Sequence, residues 1–324
     1  MMSLSVFLVS MFTMVELNCE NLFDYRHDSL KNDYEYLPGA TRHWNQGRYW
    51  TKLNNIGRTI IACGRQENGW QVPDLVALCE VENDSVLTDL TRRSLLRNAR
   101  YDYLVTRSPD LRGIDVALLY SPYSFALLRH YSLGIEPYGN RRPTRDILYA
   151  SGVVASGDTL HVFVVHAPSR YGGERASRPY RLRVADRLCA AVDSIRRLSP
   201  HAHIVMAGDF NDYSSNAAIQ RIESHQMTDV SRGAKGTHGA RGTYRYKGEW
   251  GSIDHILASQ PLAAMLVDCR INDESFLLEA DERYGGVQPK RNYKGLKYHH
   301  GYSDHLPLVA RFRLDVYQKS TIPY

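Results

Sequence analysis

Apolar residues recur along this chain at two intervals, and the two alternate from one end to the other. At an interval of two they predict strands over 12–18, 74–81, 103–107, 115–121 and 126–132. The stretch LYASGVVASGDTLHVFVVHAP then gives two apolar runs joined by SGD, which reads as a hairpin. A third group of strands is expected over 203–210, 242–246, 252–259, 265–271 and 306–314. The helical interval occurs in three places. Leu53, Ile56, Ile60 and Ile61 share a face within 48–65, and Val86, Leu87, Leu90 and Leu95 share one within 85–98. Over 178–197, Leu182, Ala185, Leu188, Cys189, Val192 and Ile195 face one way, with arginines opposite. Short turns between strands imply antiparallel pairs, and intervening helices imply parallel ones. So many strands in one α/β chain predict two mixed sheets packed face to face with helices outside. No repeat or low-complexity linker divides the sequence, so residues 1–324 are read as a single domain.

Composition keeps that picture and narrows the partners. A hydrophobic content of 43% with 23% charged residues belongs to a chain that buries a core. Forty Lys and Arg against 35 Asp and Glu leave a formal charge of +5, which suits an anionic substrate. The five cysteines, Cys19, Cys63, Cys79, Cys189 and Cys269, are spaced neither as a zinc knuckle nor as a redox pair. They read as reduced thiols and favour a cytoplasmic location. The apolar N-terminus, MMSLSVFLVSMFTMVELNCENLFD, has no Lys or Arg before its apolar run, and that run is too short to span a bilayer. It flows into MVELN, which alternates as a first core strand does; export is the alternative, should the segment act as a signal. No segment predicts stable membrane insertion.

The chemistry lies where apolar strands end. VELNCENLFD places Asn18 and Glu20 two apart, and LVALCEVEN does the same with Glu80 and Glu82, so each pair is expected on one face. VFVVHAPSRYGG ends in His166, and IVMAGDFND ends in Asp209, Asn211 and Asp212. SIDHILAS carries Asp254 and His255, and YSDHLPL carries Asp304 and His305. Taken singly, each reads as a turn, a cap or a satisfied interior histidine. Together, six such ends offer carboxylates, amides and imidazoles, while the chain has no G-x-S-x-G elbow, P-loop or G-x-G-x-x-G. Carboxylates crowded into one pocket need a cation. Oxygen donors without thiolates select Mg²⁺, Mn²⁺ or Ca²⁺. A histidine held by an aspartate beside such an ion suits hydrolysis of phosphate esters.

The ordered set NCENLFD, LCEVEN, VVHAPSR, AGDFND, SIDHIL and YSDHLPL resembles the endonuclease/exonuclease/phosphatase family, which includes pancreatic deoxyribonuclease. The motifs run from residue 18 to 307. The resemblance implies a deoxyribonuclease-like four-layer α/β sandwich and a phosphoesterase dependent on Mg²⁺ or Mn²⁺. It implies Glu80 as the main metal ligand, in preference to Glu82, with Asn18, Glu20 and Asp304 also at the metal. Asp209 and Asn211 would position the attacking water, and His305, held by Asp254, would contact the phosphate or activate water. His166 matches a second histidine of the deoxyribonuclease branch, a candidate general acid. Apurinic enzymes have a Tyr near there, so His166 argues against a strict apurinic activity.

Adjacent Asp304 and His305 would point apart in a regular strand, so a turn is expected there. His255 should face away from Asp254 and is read as structural. Three basic loops, 169–183, 232–247 and 289–300, adjoin motif strands. Their tyrosines suit base stacking and their arginines phosphate, with Arg170 a candidate phosphate contact. The segment 39–50, GATRHWNQGRYW, is assigned to helix packing. Nucleic acid is the expected substrate. A small phosphorylated molecule or lipid head group is the alternative, and a catalytically silent nucleic-acid-binding protein is a third reading.

Overall fold

The computed structural model describes residues 8–66, 69–137 and 143–316, so the first seven residues of the apolar N-terminus lie outside it. Two six-stranded sheets carry the structure. The first takes β1 (Leu8–Leu22), β2 (Leu75–Val81), β3 (Asp102–Val105) and β4 (Asp115–Tyr120) from the N-terminal part of the chain. The second is formed by β5 (Phe125–Leu133), β6 (Ile147–Val154), β7 (Thr159–His166), β8 (His203–Asp209), β9 (Met227–Asp229) and β10 (Asp254–Ser259). β11 (Leu266–Ile271) and β12 (Leu308–Val316) return to the first. The strand orders are β11-β12-β1-β2-β4-β3 and β9-β10-β8-β7-β6-β5.

Alternation sorts the side chains into three apolar layers. Phe12 and Met14 of β1 point between the sheets, where they join Leu75, Ala77, Leu118, Val162, Val205, Ile256 and Phe312. Val15 and Leu17 point outward, against Leu53, Ile56 and Ile60 of α1 (Gln46–Cys63). On the far side, Phe163, Val165, Ile204 and Met206 meet Val184, Leu188 and Val192 of α2 (Glu174–Leu198), with Ile219 and Ile222 of α3 (Ala217–Ser224). Helix, sheet, sheet and helix thus stack as the expected four-layer sandwich. Trp44 is fully buried and donates its indole N–H to the Phe23 carbonyl, in keeping with a packing role for 39–50. Among the described residues, no helix is long and apolar enough to cross a membrane.

Three expectations need correction. The helix read over 85–98 is broken into an α-turn, Asp84–Thr88, a π-turn, Asp89–Arg93, and a 3₁₀ turn, Leu95–Ala99. Ser94 breaks it: its backbone is extended, and its hydroxyl donates back to the Leu90 carbonyl and accepts from the Leu96 N–H. The last strand starts at Leu308 instead of 306, because Pro307 cannot donate to a ladder. α3 was not anticipated; an eight-residue helix offers too few turns for a clear period.

One topological feature positions everything that follows. Within each sheet a single neighbouring pair is parallel, β1 with β2 and β7 with β8. The strands β12 and β10 run antiparallel to β1 and β8 respectively. The C-terminal ends of β1, β2, β7 and β8 therefore meet the starts of β10 and β12 at one edge of the sandwich. Gly208 permits the closest approach there. It adopts φ +154°, and a Cβ at this position would collide with the Val165 carbonyl of β7. Gly208→Ala is expected to cost about 3 kcal/mol or more in stability. Chemical denaturation measures it, and a loss below about 1 kcal/mol would show that the two strands can part without penalty.

Candidate functional site

The strand ends leave the ladders through irregular backbone. Pairing slips between Asn18 and Leu22 on β1 and between Cys79 and Val81 on β2. Glu20, Asn21 and Glu80 all take left-handed φ angles, 49°, 56° and 60°, as does Asn211 beyond β8, at 51°. Such residues carry strain that their surroundings must hold in place. The bulge at Glu80 separates two acids that regular alternation would put on one face. Glu80 lines a cleft of about 890 Å³. Glu82 is turned elsewhere, accepting the Asp24 N–H at 2.7 Å, and burial followed by the Asp24 charge pushes its pKa up to about 8.

Asp209, Asp254 and His305 present atoms that all lie within 4.8 Å of one another. Register explains the first two, since Asp209 pairs across the sheet with His166 on one side and Asp254 on the other. His305 lies just ahead of β12. Its Nδ1 is 2.8 and 3.0 Å from the two Asp254 carboxylate oxygens, and its ring packs against Tyr244. Thr243 donates its hydroxyl to the same Asp254 carboxylate. Ser303 fixes the turn, donating to the Asn18 carbonyl at 2.6 Å and accepting the His305 N–H at 3.1 Å. Burial opposes the imidazolium of His305, but the Asp254 carboxylate outweighs it and holds the pKa well above the ordinary range.

Asp209 accepts the Asn18 amide at 3.0 Å and the Asn211 N–H at 2.9 Å, and Asn211 also donates to the Ala167 carbonyl. Burial, then the Asp254 charge, raises Asp209 to about 7. His166 Nε2 lies 3.8 Å from a Glu80 oxygen and 3.7 Å from an Asp209 oxygen. Burial, then Arg145 and Arg112, push its pKa well below the ordinary range, so the ring is neutral. His255, by contrast, faces away from Asp254. It contacts Asp229 at 3.1 Å and the Asp212 carbonyl at 2.8 Å, consistent with a structural role.

The acids near the ends of β1 and β12 are committed to cations. Arg291 reaches Asp304 at 2.9 Å and Glu20 at 3.5 Å, while Glu20 also takes the Asn292 N–H at 2.7 Å and lies 4.0 Å from the buried Lys52. Glu80, His166, Asp209, Asn211, Asp304, His305 and Arg170 all line the cleft; Asn18, Glu20 and Asp254 do not, but Asn18 bonds to Asp209 and Asp254 to His305. Arg170 lies over the Tyr213 ring at 4.8 Å. The segment 169–183 is a loop only up to Gly173 and is helical in α2 from Glu174 onward, and many other cations of the basic segments pair internally, including Arg181 with Asp212 at 2.7 Å and Lys294 with Glu279 at 2.9 Å. Cleft cations also come from Arg112 and Arg145, which the sequence reading passed over. It missed Glu16 as well. This residue is fully buried, and both carboxylate oxygens lack a hydrogen-bond partner. Burial, then Asp254, raises its pKa well above normal. Its place two residues before Asn18 in an alternating strand was the available signal.

The donor set fits a divalent cation. Carboxylate oxygens suit a hard ion, and Asp209 retains a proton to about pH 7 because it is buried and the Asp254 charge lies close by.

The sequence matches the Endonuclease/Exonuclease/phosphatase family over residues 13–313. No curated protein matches it. Among solved structures, an endonuclease/exonuclease/phosphatase from Bacteroides vulgatus has 17% identity and a TM-score of 0.61, covering 93% of this chain and 98% of that one. A mannosyl-6-phosphatase from Bacteroides thetaiotaomicron has 14% identity and a TM-score of 0.60, covering 92% and 98%. The human Nocturnin catalytic domain, solved with a bound sulfate anion, has 16% identity and a TM-score of 0.56, covering 95% and 97%. At these identities the structures share the fold.

The crowded acids set a pH dependence. Native Asp209 and Glu20 hold protons up to about 7 and Glu82 up to about 8, whereas unfolded carboxyls release them near 4. The native state binds more protons in that window, so stability falls as pH rises through it. His305 adds to the fall: its contribution is complete below about 6.5 and is lost as pH rises through its raised folded pKa. His166 acts in the opposite sense: its contribution is complete above about 6.5 and is lost as pH falls through its lowered folded pKa. Urea denaturation in chelator is expected to show lower stability at about pH 8 than at about pH 5, with Mg²⁺ or Mn²⁺ restoring more at the higher pH. Equal stability and equal metal response at both would contradict this account of the acids.

Proposed function

The chain belongs to the endonuclease/exonuclease/phosphatase family and is a hydrolase acting on phosphate ester bonds; from that premise we propose that it cleaves phosphodiester bonds of nucleic acid by in-line attack of water. The observation that carries this reading is the rim of the cleft, where Tyr171, Tyr213, Tyr246 and Trp250 stand among Arg170 and Lys247. Tyr171 and Tyr246 are well exposed, so their rings are within reach of bases while the cations attract the backbone.

Glu80 and Asp304 would hold Mg²⁺ or Mn²⁺ on the cleft wall, with Asn18 and Glu20 supporting them from behind. When bound, such an ion polarises the phosphoryl oxygens and offsets their charge. Asp209, oriented by the Asn18 amide and the Asn211 N–H, accepts a proton from the attacking water. His305 donates Nδ1–H to Asp254, which leaves Nε2–H for a non-bridging phosphate oxygen. Its positive charge stabilises the phosphate as negative charge builds. His166 is neutral before substrate enters. A phosphate beside it raises its pKa toward the range in which it can protonate the leaving oxygen.

A second reading, hydrolysis of a small phosphorylated molecule, draws on the cleft volume of about 890 Å³, a size that encloses a metabolite. One assay panel separates the two: plasmid DNA, RNA, abasic duplex, bis-p-nitrophenyl phosphate and p-nitrophenyl phosphate, each with Mg²⁺, Mn²⁺ or chelator. Metal-dependent cleavage of the diesters is expected. A phosphomonoester as best substrate transfers the assignment to the second reading. His305→Ala and Glu80→Ala should each lower kcat/KM on bis-p-nitrophenyl phosphate by about 100-fold or more, with the folded state intact by circular dichroism. Unchanged activity in either variant removes that residue from the mechanism.

A further inference from the structure

A second chamber of about 710 Å³ opens beside the cleft, and Arg112, Arg145, Ser169 and Tyr171 line both. Arg145 forms the wall between them. Its side chain is buried, with a relative exposure of 8%. One end contacts Asp110 at 3.3 Å and another donates to the Ala167 carbonyl at 2.9 Å, but Nε makes no hydrogen bond. The neighbouring Thr144 hydroxyl is likewise buried without a partner. Polar groups left unsatisfied in a protein wall are costly unless something else engages them. The chamber lining holds three arginines, Arg112, Arg145 and Arg183, against one carboxylate, Glu136. Its volume exceeds what an anion alone requires, and Ile135 and Tyr171 supply an apolar and aromatic surface.

We propose that this chamber is a subsite for a second phosphate group of the substrate, engaged by Arg112 and Arg145, with the organic moiety that joins the two phosphates against Tyr171 and Ile135. The inference rests on the phosphate-ester reading of the adjoining cleft and adds a substrate class to it: compounds carrying two phosphoryl groups in sequence. A guanidinium suits this task because it presents several donors to one anion. Both arginines also act on His166, whose pKa they depress, so an anion held by them lies within electrostatic reach of the catalytic groups.

Binding without turnover tests the subsite. Wild-type protein in chelator is titrated with thymidine 5′-monophosphate and thymidine 3′,5′-bisphosphate, and in parallel with glucose 6-phosphate and glucose 1,6-bisphosphate. Each bisphosphate is expected to bind about 10-fold or more tightly than its monophosphate. A preference confined to the thymidine pair assigns the second phosphate to a nucleotide; a preference in both assigns recognition to the phosphate itself. Equal binding of mono- and bisphosphate in both pairs overturns the subsite. Arg112→Gln and Arg145→Gln should each reduce the preference to below about 3-fold. Arg112 is exposed, so its substitution keeps the test open if loss of the buried Arg145 unfolds the chain. A preference that survives Arg112→Gln and, where the variant folds, Arg145→Gln overturns the assignment to these arginines. Failure of the phosphodiester reading would appear separately, as absent hydrolysis of every diester with the binding preference intact.

Discussion

Glu16, Asp209 and Asp254 bring three carboxyl groups together with the His305 imidazole at the end of an interior otherwise filled with apolar side chains. Like charges at such separation cannot all ionise without a counter-charge, and burial sharpens the conflict. The protein meets it in two ways. His305 is held as a cation by Asp254, and Asp209 and Glu16 retain protons beyond the ordinary carboxylate range. A divalent cation bound beside Asp209 would replace the proton on that carboxyl group. Beneath the acids, Cys79 links the sheets, donating its thiol to the Val165 carbonyl and accepting the Asp209 N–H. The electrostatic centre is therefore fastened to both halves of the sandwich.

Backbone strain is concentrated at the same edge. Glu20, Asn21, Glu80 and Asn211 are held in left-handed conformations that few L-residues adopt. Their restraints are mutual. The Asn21 N–H binds Glu80, the Glu20 N–H binds Asn18, and the Asn211 N–H binds Asp209. Three of the four strained residues thus donate to a side chain of the site and fix its direction. Turning off the ladder is what lets Glu80 face the cleft while Cys79 stays between the sheets.

The fold was legible in the sequence to the extent that it depends on alternation. β1, β2, β4 and β8 bury both faces or nearly so, and their apolar runs stood out along with the polar residues that end them. The turn at Asp304 and the outward aim of His255 followed from the same two-residue rule. Where that rule fails, so did the reading: a bulge at Glu80 cannot be seen in a pattern that assumes regular pleats. Nor does sequence reveal which cations already have partners. The basic loops looked alike, yet Arg181 serves a buried aspartate, Arg291 serves Glu20 and Asp304, and Arg170 lines the cleft. Arg112 and Arg145 lie outside those loops, and only the meeting of two sheets brings them to the site. Glu16 was hidden for the opposite reason, because an acid in an otherwise ordinary strand resembles a solvent-facing position.

The distribution of these cations bears on how substrate is told from metal. Lys52 and Arg291 lie with Glu20 and Asp304 on the first-sheet side, where they offset part of the negative charge of those two acids. Arg112 and Arg145 lie on the His166 side, where the only carboxylate in contact with Arg145 among the described residues is Asp110. Negative character therefore centres on Asp209, and positive character grows toward the second chamber. A phosphate would meet attraction at the arginine end and at the His305 cation, and a divalent ion beside the acids would add to it. On the phosphate-ester reading, binding of metal and binding of substrate would reinforce each other through charge.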